Sequence, residues 1–198
     1  MAVEDVVVRG FNSENSVRAK AYLKAQKLSN LSYVPQLFDY LNNEKDKTNR
    51  DSAYYILGHL LKRTTDNVQI QKFVDYLKTE NNSDIIAGIL DRLSEIILNE
   101  PIEIKPILDL VENSKWRIRH SAIMALTYAN QEIVKDKLRN IIRDFQVKKD
   151  KLDVVYATSV ICQIGDTSDI PMLQELLSSK VKDIRDSAKS AIRFIQQT

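Results

Sequence analysis

Trp116-Arg117-Ile118-Arg119-His120-Ser121-Ala122-Ile123-Met124-Ala125-Leu126 decides the fold, because its pattern returns along the chain. Asp183-Ile184-Arg185-Asp186-Ser187-Ala188-Lys189-Ser190-Ala191-Ile192 repeats it, with an arginine three residues ahead of an alanine. Arg18/Ala21 and Arg50/Ala53 have the same spacing. Ile86 and Ala157 fill the alanine slot in two intervening units that lack the arginine. The slots then fall at 21, 53, 86, 122, 157 and 188, at intervals of 32, 33, 36, 35 and 31. A fixed period of this size marks a repeat architecture, in which each unit buries its apolar face against its neighbours.

Each unit reads as a pair of helices. Apolar residues follow the slot at three, four and seven places, as in Ala53, Ile56, Leu57 and Leu60, or Ala188, Ala191, Ile192 and Ile195. That spacing is one face of an α-helix. Pro35, Pro106 and Pro171 stand ahead of a bulky residue (Leu37, Leu108, Leu173) and punctuate the first helix of their units. A first helical turn tolerates proline, since the missing N–H has no partner to lose. Asp39-Tyr40-Leu41 and Asp75-Tyr76-Leu77 repeat after 36 residues. Gly165 is placed as a helix C-cap. The pattern predicts an all-α solenoid of helix pairs in one domain, 1–198. It has about five helix pairs, at 32–63, 66–98, 101–129, 131–165 and 168–197, after an N-terminal half-repeat at 12–28.

Composition agrees. Four glycines and four prolines among 198 residues are too few for the turns of an all-β fold, while 43% hydrophobic residues supply a core. Net charge is +2, which demands neither nucleic acid nor an acidic membrane. The charge is uneven, however. Residues 115–151 hold ten Lys/Arg against four acids. A single cysteine, Cys162, excludes an internal disulfide and a cysteine-rich metal site. The sequence shows neither a signal peptide nor a run long enough to span a membrane, so a cytoplasmic location is expected.

The two quoted helices resemble the second helix of a HEAT repeat. The stretch Ile164-Gly165-Asp166-Thr167-Ser168-Asp169-Ile170-Pro171-Met172-Leu173 resembles the junction between short HEAT-like repeats of the phycobilisome-lyase type. The tetratricopeptide and ankyrin signatures are absent. The resemblance covers roughly residues 14–197 and implies an armadillo-like helical solenoid, a right-handed α-α superhelix. It also implies that Arg18, Arg50, Arg119 and Arg185 are structural, bonding between neighbouring turns.

Catalytic signatures are missing. No glycine-rich phosphate loop or nucleophile elbow occurs, and neither His59 nor His120 has a Cys or His at ligand spacing. We expect no catalytic residue, no metal and no cofactor. In HEAT-type solenoids the second helices line the concave face. Positions opposite the core there offer Tyr55, His59, Arg92, Met124, Tyr128, Arg193 and Phe194 as partner contacts, residue types common at interface centres. The expected function is a non-enzymatic protein-binding or scaffold module. The alternatives are a nucleic-acid-binding solenoid resembling DNA alkylation repeat proteins, with Lys148, Lys149 and Lys151 on phosphate, and a toxin-immunity protein. A phycobilin lyase is a further option, with nothing locating a pigment site. The partner and the oligomeric state are not legible in the sequence.

Overall fold

The computed structural model describes residues 17–98, 100–129, 131–147 and 150–197. It is built of helices, with no strand among the described residues. A first helix, α1 (Val17–Gln26), precedes five pairs. They are α2 (Tyr33–Asn43) with α3 (Lys47–Leu61), α4 (Asn67–Asp75) with α5 (Ser83–Leu93), α6 (Lys105–Leu108) with α7 (Trp116–Ala125), α8 (Glu132–Arg143) with α9 (Lys151–Ile164), and α10 (Ile170–Glu175) with α11 (Lys182–Ile195). The half-repeat expected at 12–28 lies partly outside the described residues, as do the side chains of Arg18 and Ala21.

Short polar side chains start the helices. Asp46 accepts from the Thr48 and Asn49 N–H groups, Asp66 from Val68 and Gln69, and Asn82 from Asp84 and Ile85. Each satisfies donors that have no partner inside the helix. Pro106 and Pro171 sit in the first turns of α6 and α10. Gly165 does close α9, its N–H on the Ile161 carbonyl, but with an extended backbone. A Cβ there would come within 2.5 Å of the Ile161 oxygen, so close approach rather than a left-handed turn selects the glycine.

The second helices α3, α5, α7, α9 and α11 pack directly on one another and form one continuous layer. Fully buried Leu57, Leu60, Ile89, Leu93, Ile123, Leu126, Val160 and Ile161 fill the core between the layers. The N-caps of α3, α7, α9 and α11 precede Ala53, Ala122, Ala157 and Ala188 by the same seven residues. All four alanines are fully buried. In α5 the seventh residue after Asn82 is Ile89, also fully buried, whereas Ile86 is only half-buried. The expected slot at Ile86 is therefore corrected to Ile89. Ile86 stands where other units carry the arginine, and that missing arginine misled the spacing.

Candidate functional site

The exposed side of the second-helix layer is held in shape by bonds across each joint. At the first joint Arg50 Nε and Nη2 lie 3.1 and 3.3 Å from the Glu80 carboxylate, whose side chain is almost fully buried. The same Glu80 accepts the Asn81 and Asn82 N–H groups. At the third joint Arg119 Nε lies 2.7 and 2.8 Å from the two oxygens of Asp153, and Nη2 lies 2.8 Å from Asp150. At the fourth joint the cation comes from a first helix. Arg139 Nε lies 2.7 Å from buried Asp169, which also accepts the Asp166 N–H. Asp169 holds the guanidinium proton tightly, so the Arg139 pKa is raised. Arg50 and Arg119 thus have the structural, inter-unit role expected of them, and Arg139 shares it from a position that the slot pattern does not mark.

His120 joins the third joint. Its Nε2 lies 2.9 Å from Asp150 and 3.1 Å from Asp153. Its Nδ1 is buried without a partner. An acceptor on Nε2 and a bare Nδ1 assign the proton to Nε2, donating to the carboxylates. His120, Asp150 and Asp153 are close enough to hold a metal ion. Sequence spacing missed the cluster because its carboxylates arrive from the next unit. Arg119 already donates to both of them, and a metal on Nε2 would drive the ring proton to the unpartnered Nδ1. The chemistry of the donor set is that of an ion clamp. Burial pushes the Asp150 carboxyl up, but the Leu152 N–H, His120 and Arg119 outweigh it and hold it below the ordinary value.

Tyr55 and Arg92 meet across the first joint, with the guanidinium 5.3 Å from the ring centre. Gln26 Nε2 donates to the Tyr55 hydroxyl at 2.7 Å. Gly58 makes the Arg92 position accessible, since a Cβ at residue 58 would stand 2.5 Å from Arg92 Cβ. Arg92 also pairs with Glu95 at 3.0 Å, and Glu95 with Lys62 at 3.0 Å. Once Ile89 is the slot, Arg92 falls at an inter-helix position rather than on the open face, which is why it is partly covered.

His59 is corrected outright. It is 6% exposed, and its Nε2 donates to the Gln26 carbonyl at the end of α1. It caps the preceding helix and offers no surface to a partner. Burial drives its pKa down.

Met124 is half-buried, while Tyr128 is 48% and Phe194 42% exposed, and Arg193 is exposed beside Phe194. Tyr128 and Phe194 follow Ala122 and Ala188 by the same six residues, so they occupy one register position two units apart. Trp116, beyond the window of the slot counting, is exposed at the opposite end of α7. Its ring lies 5.5 Å from His120, which lies 4.8 Å from Tyr156.

Lys148 and Lys149 lie outside the described residues. Lys151 Nζ is bonded to the carbonyls of Phe145 and Gln146 at 2.8 and 3.1 Å, so it closes a turn rather than waiting for phosphate. Most of the other cations in 115–151 are also matched, Lys137 by Glu112 and Arg117 by Asp84. Cys162 is half-buried, and burial raises its thiol pKa, the opposite of an activated nucleophile.

No family model matches the chain, and no curated protein matches it. Solved structures do. An engineered protein from a structural genomics consortium aligns over 100% of this chain and 98% of its own, at 16% identity and a TM-score of 0.56. A designed armadillo repeat protein aligns over 98% of both chains, at 15% identity and a TM-score of 0.52. The chain is an all-α repeat solenoid. Among the described residues no helix is long and apolar enough to cross a membrane.

Proposed function

We propose that the protein is a non-enzymatic binding module whose second-helix layer receives a protein partner. The observation that carries this reading is the pair Tyr128 and Phe194. Two large aromatic side chains stand exposed in the same register position, two units apart. With helices about 10 Å apart, they are separated by about 20 Å. The intervening unit offers Gln163 there, exposed and polar. Aromatic anchors at such spacing suit an extended partner segment, each anchor supplying apolar area with few rotamers to freeze. Met124 adds an adaptable half-buried contact between them and Tyr55. The finer assignment, to HEAT repeats of the phycobilisome-lyase type, rests on the Ile164–Leu173 junction and the Arg-x-x-Ala slots.

The test is affinity capture from the native lysate with wild type and a Tyr128→Ala/Phe194→Ala variant in parallel. Captured proteins are then re-tested as purified pairs. Partners that the variant loses support the reading. An identical set for both proteins overturns it.

A further inference from the structure

Arg50, Arg119 and Arg185 occupy one position on α3, α7 and α11, four residues past each N-cap. Each makes the same bond within its own pair. Nη1 donates to the carbonyl of Lys45 at 2.6 Å, of Asn113 at 2.8 Å and of Ser179 at 2.7 Å. That bond fixes the guanidinium plane. In the first two cases the edge formed by Nε and Nη2 then takes a carboxylate from the following pair, Glu80 for Arg50 and Asp150 with Asp153 for Arg119. The corresponding edge of Arg185 meets no carboxylate among the described residues.

The apolar neighbour shows the same incompleteness. Leu57, Leu93, Leu126 and Ile161 are fully buried four places past their slots, while Ile192 in α11 is only half-buried. Between the two lies a change of character. Buried Tyr54, Leu90, Ile123 and Thr158 precede it in the series, and α11 has Lys189, whose side chain is 60% exposed. An apolar surface packed here would desolvate that ammonium, which Asp186 compensates only in part. An acidic segment would supply the rest. Exposed Lys180 follows Ser179, whose carbonyl Arg185 holds, and adds positive charge nearby, while Asp186, 3.8 Å from Lys189, offsets part of it.

We propose that this end face is a docking site for an acidic segment of a partner protein. An Asp or Glu takes the open edge of Arg185, a geometry suited to two parallel charge-assisted bonds. An adjoining apolar residue covers Ile192. The site is separate from the aromatic register on the inner layer.

The experiment is a titration of the full chain, followed by the Arg Nε–Hε resonances in NMR. The probe is an acetylated, amidated peptide with the sequence of residues 150–157, which carries the two carboxylates that hold Arg119. The expected result is a saturable shift at Arg185. Binding weakens by about tenfold or more in Arg185→Gln, and equally when both aspartates of the peptide become asparagine. Arg185→Lys retains part of it and serves if the Gln variant fails to fold. Tyr128→Ala leaves it unchanged, so its fate is independent of the inner layer. Absence of any shift up to the solubility limit overturns the proposal, as does a shift that the asparagine peptide reproduces. Self-association of the protein alone in sedimentation, abolished by Arg185→Gln, also overturns it by making the occupant a second copy.

Discussion

Arg119 and Asp153 join two helix pairs through one Nε–H shared between both carboxylate oxygens at 2.7 and 2.8 Å, with both side chains largely out of water. Buried pairs of this kind add little relative to an apolar contact, but removal of one member leaves an uncompensated charge. Arg119→Met strands Asp153 in the core, with Asp150 beside it. Chemical denaturation is expected to show a loss of about 3 kcal/mol. Replacing Asp153 with Leu in the same chain recovers part of that loss, and a double-mutant cycle measures how much.

Gly58→Ala tests the close approach of α3 and α5. Alanine in a helix interior ordinarily gains about 1 kcal/mol over glycine. Here the new methyl meets Arg92 Cβ at 2.5 Å and Cγ at 2.7 Å, atoms near the backbone that cannot swing aside. Overpacking of this sort costs about 1–3 kcal/mol, so the net sign is destabilising. A denaturation midpoint above wild type would contradict it.

Acidification is expected to weaken the fold in two stages. His59 has a folded pKa below its ordinary 6.5, so the unfolded chain takes the proton first. Its contribution is complete above about pH 6.5 and is lost as the pH falls below that value. Asp150 has a folded pKa below 3.8, and Glu44 is held at about 2 by the Tyr40 hydroxyl, the Asp46 N–H and Asn49. Their contributions are complete above the ordinary carboxylate range and are lost only on further acidification. Melting temperature followed from pH 8 to pH 3 reads both stages, and His59→Gln removes the first.

Tyr128→Ala and Phe194→Ala are expected to change stability by no more than about 1 kcal/mol each, since each residue is only about half covered by the fold. A large loss of stability would show that the rings pack within the fold instead of presenting a surface.

Cys162 is expected to alkylate slowly. Its thiol pKa is raised by burial, so little thiolate exists at neutral pH. Labelling by iodoacetamide, followed by mass spectrometry, should be slower than for free cysteine at pH 7 and should accelerate as the pH rises.

The architecture was legible where its signals are local. Slot alanines and apolar spacing lie within single helices, and first-turn prolines within single turns. The structure puts Ala53, Ala122, Ala157 and Ala188 at equal depth. The register of α5 was not legible, because Ile86 replaces the arginine that anchors the pattern elsewhere. The clamps were half legible. Arg50 and Arg119 announce themselves, but Glu80, Asp150 and Asp153 stand about one repeat away, and nothing in the sequence distinguishes them from the solvated acids around them. Of the surface contacts expected on the inner layer, Tyr128, Arg193 and Phe194 are exposed. His59 fails because α1 ends against it, a tertiary contact with no local trace. Arg92 is drawn inward by Gly58.

Three joints have an arginine on an enclosed carboxylate. Among the described residues the joint between α4/α5 and α6/α7 does not. Its cross-unit ion pairs are Lys78 with Glu103 and Arg117 with Asp84, all four side chains substantially in water. Mobile counterions screen charges in that setting and barely reach the enclosed pairs. Ionic strength therefore acts unevenly along this solenoid. Rising salt loosens the electrostatic tie in the middle and leaves the flanking ties intact, so that single seam gives the protein a built-in sensitivity to its electrolyte.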